Sequence, residues 1–167
     1  LKVYLLSEID PTASTQSAVI KTLPVSYPQQ TGFLSLASSQ FDCEAIFIAD
    51  GRLYFVTKHL SGSRAFARGA NLYRLDTDFT DQENVLTLVD SHPDLLAATG
   101  AELSPDGQTL AVVSNEALWL FDRPAKGDQW LSGNARRYAL DTRTVDQVET
   151  VIWDDDQTLL LTNEQRR

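Results

Sequence analysis

The sequence contains a single cysteine and no methionine. Cys43 is the one thiol among 167 residues, so an internal disulfide is excluded. One unpaired thiol is compatible with the cytoplasm and with an export compartment, which leaves localisation open between cytoplasm, periplasm and secretion. Because the chain begins at Leu1 and has no methionine, we expect a processed or trimmed product with sequence missing at both ends.

Basic residues and long apolar runs are also scarce. Lys and Arg number 14 against 23 Asp and Glu, which gives a net charge of -9. Such a field repels phosphate backbones, so nucleic acid is not expected as a partner. The apolar run at 45–49 is far shorter than the roughly 20 residues that a membrane helix needs, so no membrane span is expected.

Familiar catalytic motifs are absent. The chain has no GxSxG elbow, Walker loop, GxGxxG, HExxH or CxxC pattern, and no catalytic residue is assigned. The run Asp154–Asp156 lacks the EF-hand spacing and is interpreted as an exposed acidic turn. Cys43 and His59 end adjacent strands of one predicted hairpin and could form a nucleophilic pair. A lone cysteine on an inner strand is more often a small buried hydrophobe.

Short strands dominate what the chain does contain. Apolar segments rich in Val, Ile, Leu, Phe and Tyr alternate with turn residues, and no long window has helical periodicity, which predicts an all-β fold. The clearest hairpin spans Cys43–Lys58, because Asp50 and Gly51 supply the two positive φ angles of a type I′ turn.

This hairpin recurs twice along the chain. Similar sequence follows at 102–115, around an SPDG turn, and at 148–163, around the three aspartates. Glu44, Gly100 and Glu149 are then equivalent, at spacings of 56 and 49 residues, close to propeller repeats of about 40–50. The repetition favours a β-propeller.

Further matching strands complete each repeat. NLYRLD at 71–76 matches ALWLFD at 117–122, and NVLTLVD at 84–90 matches ARRYALD at 135–141. With two strands near the start of the chain, we predict four-stranded antiparallel blades in the strand order CD-ABCD-ABCD-AB. The predicted blade portions are 1–31, 42–91, 99–142 and 147–167.

The predicted propeller is incomplete. Twelve strands make about three blades, whereas propellers close with about 4–8 blades, so missing sequence or a second chain would supply the rest. An all-β sandwich with long loops is the alternative, because short strands with turn signals also describe that class.

Polar residues at the strand ends give one candidate site. In a propeller the start of strand A and the end of strand B emerge on the same face, near the axis. This places Glu44, Glu149 and Asn163 as candidate ligands for Ca²⁺, which takes about six to eight oxygens. Asn115, at the end of another B strand, is a further candidate ligand-binding residue. Alternatively, strand ends become polar simply where they reach solvent.

The long loop predicted at 59–70 between strands B and C gives a second candidate site. Lys58, His59, Arg64 and Arg68 lie close together in an otherwise acidic chain, and could hold an anionic ligand or an acidic partner surface. A solvated loop is the alternative interpretation.

Segments 42–59, 98–115 and 146–165 resemble a group of bacterial propeller proteins, often exported, that are related to phytase-like and SMP-30-like propellers. The SPDG turn is similar to the blades of TolB and WD40-like repeats. The resemblance implies a propeller fold. In the better known propeller enzymes, acidic and amide side chains hold Ca²⁺ at the axis, which implies Glu44, Glu149 and Asn163 here. Gly100 departs from that pattern.

Three functions follow as hypotheses. The first is a non-catalytic binding or scaffold propeller that engages a protein or small polar ligand through its axial face. The alternative is a calcium-dependent hydrolase of a phosphoester, ester or lactone, with Glu44 and Glu149 as base or nucleophile. A third is a subunit of a larger envelope assembly.

Overall fold

A computed structural model describes residues 1–10, 12–13, 15–32, 39–61 and 65–164, and these residues form an all-β structure, as predicted. The strands are β1 (Lys2–Leu6), β2 (Val19–Ser26), β3 (Ser39–Ala49), β4 (Arg52–Leu60), β5 (Phe66–Arg74), β6 (Asn84–Val85), β7 (Thr87–Leu96), β8 (Ala98–Leu103), β9 (Thr109–Ser114), β10 (Ala117–Asp122), β11 (Ala135–Ala139), β12 (Gln147–Trp153) and β13 (Leu159–Glu164). A 3₁₀ turn at Trp130–Ser132 and the short helix α1 (Thr142–Val145) lie between strands.

The strands form two four-stranded antiparallel sheets flanked by two hairpins. Sheet 1 has the order β3-β4-β5-β7 and sheet 2 has the order β8-β9-β10-β11. The first hairpin is β1-β2 and the last hairpin is β12-β13, both antiparallel. The predicted four-stranded antiparallel sheets are therefore confirmed. The described residues by themselves form no closed barrel or propeller.

The turn between β3 and β4 has the predicted geometry. Asp50 and Gly51 have φ angles of 49° and 72°, and they connect the paired residues Ala49 and Arg52. Two consecutive positive φ angles define the type I′ turn, whose twist matches that of the flanking strands.

Sheet 1 differs from its predicted boundaries at two places. The strand predicted at 84–90 is divided, because β6 pairs in parallel with β2 and β7 begins afterwards and continues to Leu96. His92 therefore lies in a strand. The segment predicted as a long loop at 59–70 is mostly strand, since His59 pairs with Ala67 in the β4-β5 ladder.

Each face of sheet 1 packs against a neighbouring layer. Tyr54 and Val56 pack in a core shared with sheet 2, whereas Phe55 between them packs in a core shared with the first hairpin. This alternation follows from the two-residue period of a strand. Each such buried side chain contributes about 1.5–3 kcal/mol relative to exposure.

Sheet 2 is covered in the same way. Val112 faces sheet 1, and Val113 packs in a third core with Val151 of the last hairpin. The layers thus follow chain order: first hairpin, sheet 1, sheet 2, last hairpin. The first strands of sheet 1, sheet 2 and the last hairpin also touch, because β3 contacts β8 and β8 contacts β12.

Candidate functional site

We call the ends of β4, β9 and β13, together with the starts of β3, β8 and β12, the strand-end face. The antiparallel pairing of each of these hairpins brings the end of its second strand beside the start of its first. This face contains most of the predicted site residues.

Lys58 lies near the end of β4 and is almost fully buried. Its ammonium group forms ion pairs with Glu44 and, at 3.6 Å, with Asp42, and it lies 5.4 Å from the centre of the Phe66 ring. A buried cation needs such partners, because desolvation makes an unpaired charge costly. The sequence predicted Glu44 as a calcium ligand and Lys58 as part of an anion site, but the two side chains form an ion pair with each other.

His59 packs against a glycine on the neighbouring strand. Gly69 has a φ of 121°, and a Cβ placed on it would lie 2.5 Å from Nδ1 of His59. The Nε2 atom of His59 is buried and has no hydrogen-bond partner among the described residues. Burial lowers the pKa of His59 from its usual value, which favours the neutral ring.

Arg68 connects sheet 1 to sheet 2. Its guanidinium donates to Glu116 at 2.9 and 3.3 Å and to the carbonyl oxygen of Asp94 at 2.9 Å. Glu116 also accepts a hydrogen bond from Arg137 at 3.0 Å. Burial raises the pKa of Glu116, but the two arginines outweigh it and hold this pKa below its usual value. Arg68 is thus engaged within the protein, and Arg64 lies outside the described residues.

Asn115 lies between β9 and β10, directly before Glu116. Its Oδ1 atom is buried and has no hydrogen-bond partner among the residues that the structure describes. Arg68 precedes Gly69, which His59 contacts, and Glu116 follows Asn115. The ion pair between Arg68 and Glu116 therefore joins these two segments. His59 and Asn115 therefore lie at the same end of two adjacent sheets, each with an unpaired buried polar atom.

Trp119 is a residue of this region that the sequence did not single out. Its indole Nε1 is buried without a partner in the described part of the chain. Arg137 lies over the Trp119 ring at 5.6 Å, and His92 contacts the ring edge-on at 4.9 Å. In the sequence, Trp119 is an aromatic residue in the third strand of sheet 2. Such a residue is as typical of a hydrophobic core as of a binding site, so it could not be singled out.

The two other predicted calcium ligands have partners within the last hairpin and beside it. Oε1 of Glu149 accepts a hydrogen bond from Gln147 at 2.6 Å, and Nδ2 of Asn163 donates to the carbonyl oxygen of Val145 at 2.8 Å. Within residues 1–10, 12–13, 15–32, 39–61 and 65–164, no three His, Cys, Asp or Glu side chains are grouped to hold a metal ion. These residues do not fit a preformed Ca²⁺ site, and calcium binding stays a prediction.

Gly100 has a packing role. A Cβ at this position would lie 3.1 Å from the carbonyl oxygen of Glu149 and 3.1 Å from Cα of Thr150. Strand β8 approaches β12 so closely that no larger residue fits without movement. The predicted equivalence of Gly100 with Glu44 and Glu149 is wrong by one residue. The register shift of each hairpin leaves Glu44, Thr99 and Glu149 between paired neighbours, so Thr99 occupies the equivalent position.

Cys43 packs beside the core between sheet 1 and the first hairpin. Burial raises the pKa of its thiol to about 12, so the thiol is protonated at neutral pH. Its Sγ donates weakly to the carbonyl oxygen of Ala45 at 3.5 Å. These contacts favour the small buried hydrophobe over an activated nucleophile.

No helix in the described segments is long and apolar enough to cross a membrane. No protein-family model matches the chain, and a comparison with curated proteins finds no match.

Proposed function

We propose that the chain is part of a β-propeller whose strand-end face binds a small polar ligand without catalysing its conversion. The ligand that suits this face best carries several hydroxyl groups, as sugars and other polyols do. Three observations support this function: the order of the layers, two buried polar atoms without partners, and the ion pairs that neutralise the nearby charged side chains.

The order of the layers supports the propeller. A two-sheet sandwich has one core between its sheets. Here three cores separate four layers in chain order, and the first strands of sheet 1, sheet 2 and the last hairpin contact one another in turn. Radially arranged blades have this pattern, with the first strands next to the axis. The resemblance of the three hairpins to propeller repeats supports the same interpretation.

The observation that carries the binding proposal is the pair of unpaired buried atoms, Nε2 of His59 and Oδ1 of Asn115. A buried polar atom without a partner costs about 1–3 kcal/mol, so such atoms are rare in folded proteins. A ligand hydroxyl can donate to Oδ1 of Asn115 and can donate to or accept from a neutral imidazole. The hydroxyl groups of a polyol supply the donors and acceptors that these two atoms lack.

The neighbouring charges favour a neutral ligand and no chemistry. Lys58 is neutralised by Asp42 and Glu44, and Arg68 is held by Glu116. The chain as a whole has a net charge of -9, which repels anions. A protonated Cys43 is not a nucleophile at neutral pH.

An NMR titration tests the proposal. The 167-residue chain is titrated with a panel of neutral monosaccharides and cyclitols, and the side-chain resonances of His59 and Asn115 are followed. We expect at least one compound to shift both, and His59→Phe or Asn115→Leu to weaken its binding about tenfold or more, the loss of roughly one hydrogen bond. Asn134→Leu, at an exposed asparagine outside the face, is the matched control. The proposal fails if no compound shifts either side chain, or if the two variants bind like the control.

A further inference from the structure

The Trp119 ring lies under an arginine of the neighbouring strand. Trp119 on β10 pairs with Arg137 on β11, so the two side chains leave sheet 2 on the same face, the one turned toward sheet 1. The guanidinium carbon of Arg137 lies 5.6 Å from the centre of the ring. Trp119 is 7% exposed, whereas the Arg137 side chain is 38% exposed. Arg137 therefore lies between the ring and solvent and shields the ring.

Other aromatic side chains hold the ring in place. His92 of sheet 1 contacts it edge-on, with 4.9 Å between the ring centres, and the Phe121 ring is nearly parallel to it at 5.9 Å. Neither contact involves Arg137. Without the arginine, the indole would keep its orientation and would present a flat and rigid aromatic surface.

Arg137 can leave the ring at small cost. Its guanidinium donates to Oε1 of Glu116 at 3.0 Å, and Arg68 donates to the same oxygen at 2.9 Å. If Arg137 turns away, Glu116 keeps its ion pair with Arg68, so the carboxylate retains a partner. The movement breaks a part-exposed ion pair and a cation–π contact, and both contribute little to stability where solvent reaches them.

These contacts connect the ring to the proposed site. Arg137 is held by Glu116, which directly follows Asn115 in the chain. Displacement of Arg137 would therefore open an aromatic surface next to the segment that carries Asn115. The indole Nε1 of Trp119 is also buried and lacks a hydrogen-bond partner within the described part of the chain. An indole N–H donates and does not accept, so its missing partner is an acceptor such as a ligand oxygen.

A sugar in its ring form has the matching chemistry. One face of a pyranose ring carries C–H groups that pack on an aromatic surface, and its hydroxyl and ring oxygens accept hydrogen bonds. Ligand sites commonly combine an aromatic surface with a few polar groups in this way. An acyclic alditol carries similar hydroxyl groups but has no flat C–H face.

We propose that Arg137 is a displaceable cover, and that the Trp119 ring beneath it stacks against the C–H face of a pyranose while its Nε1 donates to an oxygen of that sugar. The inference rests on the proposed function and narrows its ligand from polyols in general to sugars in their ring form. Arg137 moves toward solvent when the sugar binds, and Glu116 stays paired with Arg68.

Fluorine NMR of the 167-residue chain labelled with fluorotryptophan tests the stacking. The three tryptophans give three signals, and Trp119→Phe identifies the signal of Trp119. The probes are the methyl pyranosides of glucose, galactose and mannose, each compared with the alditol of the same configuration. We expect at least one pyranoside to move the Trp119 signal and to bind about tenfold or more tighter than its alditol, because the rigid ring loses less freedom and has the C–H face. The signals of Trp130 and Trp153 should stay in place.

Two arginine variants test the cover. Arg137→Ala should increase the solvent exposure of Trp119 in the free chain, measured as the change of its fluorine signal between light and heavy water. This variant should also bind the pyranoside about threefold or more tighter, because no ion pair has to be displaced. Arg136→Ala is the matched control, since Arg136 pairs with Asp122 and extends from the opposite face of sheet 2. The control should match the unsubstituted chain in both measurements.

Each other outcome has a distinct meaning. If a pyranoside shifts His59 and Asn115 but leaves the Trp119 signal unmoved, or binds no tighter than its alditol, the stacking is wrong and the binding function stands. The cover is wrong if Arg137→Ala exposes Trp119 no more than Arg136→Ala does, or if it fails to tighten pyranoside binding. If no compound moves any of the three side chains, the stacking and the binding function both fail. A pyranoside that moves Trp119 alone removes the polar pair from the proposed function and leaves the stacking intact.

Discussion

A Cβ built on Gly100 of β8 would lie 3.1 Å from the carbonyl oxygen of Glu149 on β12. The first strands of sheet 2 and of the last hairpin are therefore in direct backbone contact. This contact sets the distance between two layers, so the size of one residue should control their packing.

Gly100→Ala should destabilise the protein by about 1–3 kcal/mol, the usual cost of overpacking. The added methyl group would meet backbone atoms of Glu149, Thr150 and Val151, which cannot rotate away. Urea unfolding measures the loss. Gly32→Ala is the control, because nothing lies within 4 Å of its Cβ position. Equal stability of the two variants would contradict the close approach of β8 to β12.

Asn84→Asp should cost roughly 2–4 kcal/mol at neutral pH, as expected for a buried charge without a partner. Asn84 is fully buried, accepts hydrogen bonds from Thr77 and Phe79, and donates to the carbonyl oxygens of Pro24 and Phe79, all at 2.8–2.9 Å. A carboxylate would face those two carbonyl oxygens without a proton to donate. Thermal unfolding measures the effect, with the exposed Asn134→Asp as control. A loss no larger than that of the control would mean that Asn84 does not hold β2 to the segment between β5 and β6.

Stability should fall as the pH is lowered through the range around 6.5, the ordinary pKa of histidine. Burial lowers the folded-state pKa of both His59 and His92 below 6.5. The unfolded chain then binds more protons than the folded chain in this range, so the free energy of unfolding rises with pH and is lost on acidification. Urea unfolding at four pH values measures the slope. His59→Gln and His92→Gln should each flatten it, and an unchanged slope in both variants would assign the effect to other groups.

Cys43 should react slowly with a thiol reagent in the folded protein. A thiol with a pKa of about 12 has on the order of a thousandfold less thiolate at pH 8 than one with the ordinary value near 9. Absorbance with Ellman's reagent follows the rate, and addition of urea should accelerate it by a similar factor. A fast reaction in the native protein would reopen the nucleophilic interpretation of Cys43 and His59.

Local features were predictable from the sequence. The Asp50–Gly51 turn depends only on two backbone conformations, and the alternation of Tyr54, Phe55 and Val56 depends only on the strand period. The four-stranded order followed from repetition of the same pattern. The turn and the alternation are each signalled by a few consecutive residues, whereas the strand order is signalled by repetition along the sequence.

The pairing of charges was not predictable in this way. Lys58 meets Glu44 because of the β3-β4 register, and Arg68 meets Glu116 because sheet 1 packs on sheet 2. The sequence placed Lys58 and Arg68 in an anion site and Glu44 in a metal site, since each charge was considered without its partner. The parallel pairing of β2 with β6 likewise joins residues about sixty positions apart.

One residue connects sheet 1 to sheet 2. Ala97 stands alone between β7 and β8, is fully buried and has a φ of 52°. Because this single residue is the whole connection, an insertion next to Ala97 would push sheet 1 and sheet 2 apart. Gly127, in contrast, has no atom within 4 Å of its Cβ position. Peptide tags or labels for following the protein are therefore best inserted between Lys126 and Gly127, so that Asp128, which pairs with Arg74 of sheet 1, keeps its place.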